Sequence, residues 1–291
     1  MPLFTNIKSF DKSFLLKLWL SLILYQLSVC PVSAQKDTMD IKDYILIINT
    51  YTESFPWSNR LISTATNFVK DDPKLAVYTE HMNMIMIDND SILDQFKDSL
   101  FDRYGSHRPR MLLLLGNSSL ILKDDLRKMW GDIPMVLCAG KDYTGPEHYY
   151  LTKQPIPLSE RVPLAELSQS CNLTYLYANL YIHENVEMMF RTLPRMKRFI
   201  YVGDERFVNQ VNSQEIQEIL RTKHPDVHYT FLSSRDIKKT NQLIDSLNFV
   251  DPRTTGILFS SWFHKRQFAG NMMLTMILPE IVSTVSPPLF A

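Results

Sequence analysis

Short, unbroken apolar runs, each ended by small or polar residues and followed by a helical period, constrain this chain more than any other feature. Ile45 to Ile48 is the first of them, and it turns polar at Asn49-Thr50-Tyr51. A strand that stays apolar without alternating is one buried on both faces, as in a parallel sheet with helices on either side. Ser54 and Pro56 stand where a helix cap and an early helical proline are expected. Leu61, Ile62, Ala65 and Phe68 then recur at helical spacing. This predicts a βα unit with its polar turn on the ligand-binding edge of a doubly wound domain.

The rhythm continues. Leu75 to Met82 reads as a second strand, and Asp90-Ser91 as the cap of a helix whose apolar face is Ile92, Phe96, Leu100 and Tyr104. Met111 to Leu115 is a third strand, closed by Gly116-Asn117-Ser118-Ser119. A helix through Leu122, Leu126 and Met129 stops at Gly131. Pro134 to Cys138 is a fourth strand. From Tyr143 to Asn172 the pattern lapses among four prolines, which predicts a crossing or insertion, and Thr174 to Tyr181 carries the chain into a second half. There the rhythm restarts, with strands at Arg198–Val202, Val227–Leu232 and Thr255–Phe259 separated by helices, and a methionine-rich helix to about Val285. Strands alternating with helices at this spacing predict two parallel α/β lobes. The expected divisions are 35–145 for the first lobe, 146–172 for the crossing and 173–291 for the second lobe. The sequence stops within a predicted strand at Pro288-Leu289-Phe290-Ala291, so a fragment truncated at its C-terminal end, or an interrupted reading frame, is expected.

Residues 1–34 read as a secretory signal. Lys8, Lys12 and Lys17 precede the apolar run Leu18–Val29, and Val32-Ser33-Ala34 offers small residues for cleavage. The run is short for a membrane span. An uncleaved anchor is the bland alternative, and the bulky Val29 argues against lipidation at Cys30. Thirty-one basic and 31 acidic residues balance, so no global field points to nucleic acid or to a membrane surface. Beyond the leader only Cys138 and Cys171 remain. No disulfide framework follows from them, and Cys138 reads as a buried thiol in a strand.

The residues that could carry chemistry do not assemble into a catalytic set. Ser118 after an apolar strand invites a nucleophile reading, but Gly-x-Ser-x-Gly is absent and no Asp-x-x-His follows near the end. A secreted serine hydrolase using Ser118 is therefore the alternative from another class. His183-Glu184-Asn185-Val186-Glu187 lacks the second histidine of a zinc helix, and Pro225 keeps His224 and His228 from sharing a helical face. Trp57 suits either a stacking role in a cleft or the first core position of its helix.

The stretch Ile45 to Ser58 resembles the first strand and helix of type I periplasmic solute-binding domains. The relevant branch occurs both with transporters and as the sensor input of hybrid two-component histidine kinases. Leu114-Leu115-Gly116-Asn117-Ser118-Ser119-Leu120 is similar to that family's strand-Gly-Asp/Asn-x-x-Leu turn, and Thr255 to Trp262 and Ser286 to Phe290 are similar to its late strands. The extended turn Ser260 to Lys265 looks more like the sensor-kinase branch. The resemblance runs from about Asp43 to the end, with a longer crossing at Tyr143–Asn172 than is usual. It implies two α/β lobes on a hinge, closing on a sugar, amino acid or nucleoside-like solute, with no catalysis, no cofactor and no metal. It admits a homodimer, and contact with a membrane only through the leader or a downstream segment. Carried over position by position, it implies ligand contacts from Tyr51, Thr52, Glu53, Trp57, Glu80, Asn117 and Ser118 in the first lobe. Asp204, Arg206, Ser233, Ser260 and Trp262 are the counterparts in the second, with Glu53 and Arg206 gripping a polar ligand from opposite sides.

Overall fold

The computed structural model describes residues 43–237, 239–263 and 274–291. Its two main sheets repeat one construction. In the first, β1 (Tyr44–Asn49), β2 (Ala76–His81), β3 (Met111–Leu115), β4 (Met135–Ala139) and β7 (Leu173–Tyr177) pair in the order β2-β1-β3-β4-β7, all parallel. In the second, β8 (Arg198–Gly203), β9 (His228–Ser233), β10 (Thr255–Phe259) and β11 (Leu289–Phe290) pair in the order β11-β10-β8-β9, again all parallel. Each order reverses direction once, between β1 and β3 and between β8 and β10. At such a switch point the two neighbouring crossovers leave to opposite faces and open a crevice at the strand carboxyl ends.

The apolar runs do what their lack of alternation requires. Leu46, Ile47 and Ile48 are fully buried, with Leu46 and Ile48 in the main core and Ile47 on the opposite face beside Leu115 and Cys138. That second face is covered by α1 (Pro56–Val69) through Leu61, Ile62 and Ala65, whereas Phe68, expected on the apolar face, is exposed. The main core lies beneath α2 (Asp90–Tyr104) and α3 (Lys123–Trp130), which bury Leu93, Leu100, Leu126 and Trp130. Gly131 ends α3 with φ +73°, a backbone conformation that glycine adopts without the strain a side chain would bring.

Two expectations are corrected here. The segment expected as a crossing folds onto the first lobe. It forms the short pair β5 (Tyr143–Thr144) and β6 (Val162–Pro163), with α4 (Glu147–Leu151) and α5 (Leu164–Ser170), and Tyr150, Leu151, Ile156 and Leu164 join that lobe's core. The strand at Leu173, expected to open the second lobe, instead pairs with β4 as the fifth strand of the first sheet. The chain passes to the second sheet only after Tyr177. Cap positions also move. Asn89, not Asp90 or Ser91, caps α2 through its Oδ1, and Phe55, not Ser54, occupies the cap position of α1 without a side-chain bond.

The second lobe is flanked by α6 (Ile182–Thr192), α7 (Phe207–Lys223), α8 (Thr240–Asn248) and α9 (Leu274–Thr284). The spacing of Ile216, Ile219 and Leu220 predicts a helix from about Ser213, but α7 begins six residues earlier, straight after the polar end of β8. Cys138 and Cys171 are both free thiols. Among the described residues no helix is long and apolar enough to cross a membrane. The leader reading of residues 1–34 and the turn at His264-Lys265 fall outside the described residues.

Candidate ligand-binding cleft

The cleft is built from the two switch points. On the first-lobe side, Thr50 donates its hydroxyl to the Leu115 carbonyl at 2.8 Å and so ties the ends of β1 and β3 together. Gly116 makes this approach possible. Its φ is +94°, and a Cβ there would stand 2.4 Å from Thr50 Oγ1. Asn49 is fully buried and directs its Nδ2 to Ser58 Oγ at 3.2 Å and to His81 Nδ1 at 2.9 Å, which fixes β1 against α1 and β2. From this frame an aromatic wall projects. The Tyr51 and Phe55 rings stack 4.5 Å apart, and Trp57 meets Tyr51 edge-on at 5.6 Å. Burial pushes the Tyr51 hydroxyl pKa up, against the pull of the Arg206 charge.

On the second-lobe side the end of β8 supplies a buried ion pair. Arg206 grips Asp204 with two bonds, Nε to Oδ1 at 2.8 Å and Nη2 to Oδ2 at 2.7 Å, and donates a further bond to Ser261 Oγ at 2.8 Å. Asp204 is fully buried and also accepts from Asn209 Nδ2 and Ser261 Oγ, each at 2.8 Å. Burial alone would raise its carboxyl pKa, but the Arg206 charge and these donated bonds outweigh it and hold the group below the usual carboxylate range. Burial likewise weighs against the Arg206 charge, and Asp204 overcomes it and raises the guanidinium pKa.

The two sides meet. The Arg206 guanidinium lies 4.7 Å from the centre of the Phe55 ring and 5.9 Å from that of Tyr51. It divides the cleft into a large cavity of about 360 Å³ and two small ones of about 50 and 20 Å³. The large cavity is bounded by Tyr51, Trp57, Asn185, Asn212, Leu258 and Ser260, among others. Beside the cavity of about 50 Å³, Lys141 bridges to Glu215 on α7 at 2.8 Å, and the Tyr150 ring lies 4.6 Å from Phe207.

Of the residues singled out from the sequence, Tyr51, Thr52, Trp57, Asn117, Ser118, Arg206, Ser260 and Trp262 all border these cavities. The others lie elsewhere. Glu53 is exposed on an open polar surface with Thr52, Ser54 and His81, so it does not face Arg206, whose carboxylate partner is Asp204. Glu80 accepts bonds from Arg103 and from the Tyr104 hydroxyl within the first lobe. Asp204 stands behind Arg206, and Ser233 accepts a bond from the Arg235 amide at the end of β9. Asn117 borders a small cavity but its amide is committed. It donates to the Lys141 and Tyr143 carbonyls, each at 2.8 Å, and accepts from the Gly140 and Lys141 amides. Trp262 is fully buried in the second-lobe core, so only an edge of the residue contributes to a cavity. Phe55, Asn209, Asn212 and Ser261 were not among the candidates. Asn209 and Asn212 sit on the first turns of α7, where a helix start placed too late hid them, and Ser261 follows the end of β10.

No family model matches the sequence, and no curated protein matches it. Solved structures do match in fold. A LacI-type transcriptional regulator from Bacteroides fragilis is 10% identical over 85% of this chain and 76% of that one, with a TM-score of 0.50. A carbohydrate transporter solute-binding protein from Agrobacterium radiobacter, solved with D-arabinose, is 10% identical over 75% of this chain, with a TM-score of 0.43. A ligand-free, open substrate-binding protein with adhesive properties from Clostridium difficile is 13% identical over 74% of this chain, with a TM-score of 0.40. The chain spans 66% and 65% of the lengths of these two binding proteins. Two parallel sheets with the same reversal of strand order, facing each other across a cleft, give the chain a type I periplasmic-binding-protein-like fold.

Proposed function

We propose that this chain is the periplasmic input domain of a hybrid two-component histidine kinase, clamping a small solute between its lobes without transforming it. The observation that supports clamping is the convergence of both switch points on one cavity of about 360 Å³, a size that suits a small metabolite. In this reading Tyr51, Trp57, Arg206 and Ser260 touch the solute, joined by Phe55, Asn209 and Asn212. Thr52, Ser118 and Trp262 shape the flanking spaces, Asn117 holds the turn, and Asp204 positions Arg206. Export rests on the basic and apolar leader, and the sensor role on the similarity of the turn after β10 to the kinase-linked branch.

A thermal-shift screen of sugars, amino acids and nucleosides tests the clamp, because a ligand that binds only the folded state raises its melting temperature. A stabiliser whose effect disappears in Trp57→Ala supports this cleft, whereas one indifferent to Trp57 places binding elsewhere. The sensor role is read from the gene beyond the Ala291 codon. A membrane span followed by kinase motifs supports it, and a stop codon soon after overturns it in favour of a free binding protein. For the hydrolase alternative, the small cavity beside Ser118 has neither histidine nor carboxylate among its described lining residues. Ester turnover abolished by Ser118→Ala would nonetheless favour it.

A further inference from the structure

Between β7 and α6 the chain crosses from the first sheet to the second over four exposed residues, Ala178 to Tyr181, the one such crossing among the described residues. Each end of it is fastened to a different lobe. Ala178 donates its amide to the Ala139 carbonyl at 2.9 Å, at the end of β4. Asn185 on α6 donates its amide to the Tyr181 carbonyl at 2.9 Å and its Nδ2 to the Leu180 carbonyl at 3.3 Å. Between these anchors the chain turns on Tyr181, whose φ of +49° and ψ of +39° are left-handed. A side chain is crowded in that conformation, and tyrosine lacks the short polar group that lets asparagine compensate. Packing does little to hold it, because Tyr181 is 59% exposed. One local bond does more: Asn179 accepts the Tyr181 amide through Oδ1 at 3.0 Å. The same turn borders the cleft. Ala178, Leu180, Ile182 and Asn185 all line the large cavity, so a solute there would lie against both anchors of the crossing.

We propose that the Asn179–Tyr181 turn is a strained clasp that sets how readily the lobes part. Its left-handed form aims α6 so that the cleft is closed, and relaxation of Tyr181 to a right-handed or extended backbone re-aims the helix and opens it. The inference rests on the clamping reading above. It gives the unfavourable backbone a role, since strain held by a single exposed bond keeps closure reversible, and a solute against Leu180 and Asn185 stabilises the strained form.

Small-angle scattering of the empty protein tests it in a Phe207→Ala background, where loss of the Phe207 contact with Tyr150 brings the two forms nearer balance. Tyr181→Gly is expected to raise the closed-to-open ratio about 5–30-fold, read as a radius of gyration that falls toward the parent's, because glycine takes positive φ freely. Tyr181→Asn is expected to move the radius the same way without glycine's added freedom. Asn179→Ala is expected to give a radius at least as large as that of Phe207→Ala alone, and adding Tyr181→Gly to bring it down again. If Phe207→Ala opens and neither Tyr181 variant alters its radius, the turn is an ordinary helix start; that result overturns the inference while leaving a clamping protein. So does a larger radius in Tyr181→Gly. One radius shared by the parent, Phe207→Ala and every variant leaves no second form to populate and overturns both readings.

Discussion

Asp204 and Arg206 form the most exacting contact of the second lobe, because each is buried and only the other makes its charge tolerable. Asp204→Asn leaves the guanidinium without its counter-charge, and breaking a buried pair in this way costs about 3–5 kcal/mol. Urea denaturation at pH 7 is expected to show a loss of that size. The pH dependence has a definite sign. The folded pKa of Asp204 lies below its unfolded value, so its stabilisation is fully present above about pH 4 and is lost as pH falls through the folded pKa. The parent is therefore expected to lose stability on acidification below about pH 4, and Asp204→Asn to lose less of it. Gly116 is the other single residue on which the cleft depends. Gly116→Ala places a side chain at φ +94° and against Thr50, and is expected to cost at least about 1–3 kcal/mol. A melting temperature equal to the parent's would show that Thr50 and Tyr51 can move aside.

Helix α2 allows a smaller prediction with a single cause. Asn89 accepts the Ile92 amide at 3.1 Å from an exposed position, so Asn89→Ala is expected to cost about 1 kcal/mol, measured by chemical denaturation, without altering ligand affinity. The same helix shows what could be read in advance and what could not. Strands buried on both faces declared themselves, since Ile45–Ile48 and Met111–Leu115 have no polar residue to turn outward. Helix starts did not, because Asn89, Asp90 and Ser91 are all competent caps and tertiary packing of Leu93 chose among them. At α1 the local rule gave way altogether. Ser54 could cap, but Phe55 takes the cap position while its ring stacks on Tyr51 in the cleft. A residue poor at its local task and well placed for a distant one marks a functional site. The same conflict hid Phe55 from a reading based on local signals. The fifth strand of the first sheet was lost for a different reason. Leu173–Tyr177 is a strand pattern on either side of a lobe boundary, and only its register with β4 decides which sheet it joins.

Seen whole, the lobes touch through contacts of unequal worth. Lys141–Glu215 is an ion pair with a carboxylate side chain 43% exposed, and such pairs contribute at most about 1 kcal/mol. Phe207 is different. It opens α7, a second-lobe helix, yet it and Val211 pack in the first-lobe core, with the Phe207 ring 4.6 Å from Tyr150. Withdrawing a buried phenylalanine into water costs about 1.5–3 kcal/mol, which alone would hold the open form to a few per cent. A ligand adds only the difference between its affinities for the two forms, so with Phe207 in place it has little left to shift. The apolar seam, not the ion pair, is thus expected to set the resting state. Small-angle scattering of the empty protein should give similar radii of gyration for the parent and Glu215→Gln, and a larger one for Phe207→Ala. Addition of a ligand should restore the compact radius in Phe207→Ala, at the expense of apparent affinity, because the competent form is then the minor one. A Glu215→Gln protein that opens as far as Phe207→Ala would shift the weight to electrostatics and imply that closure depends on ionic strength.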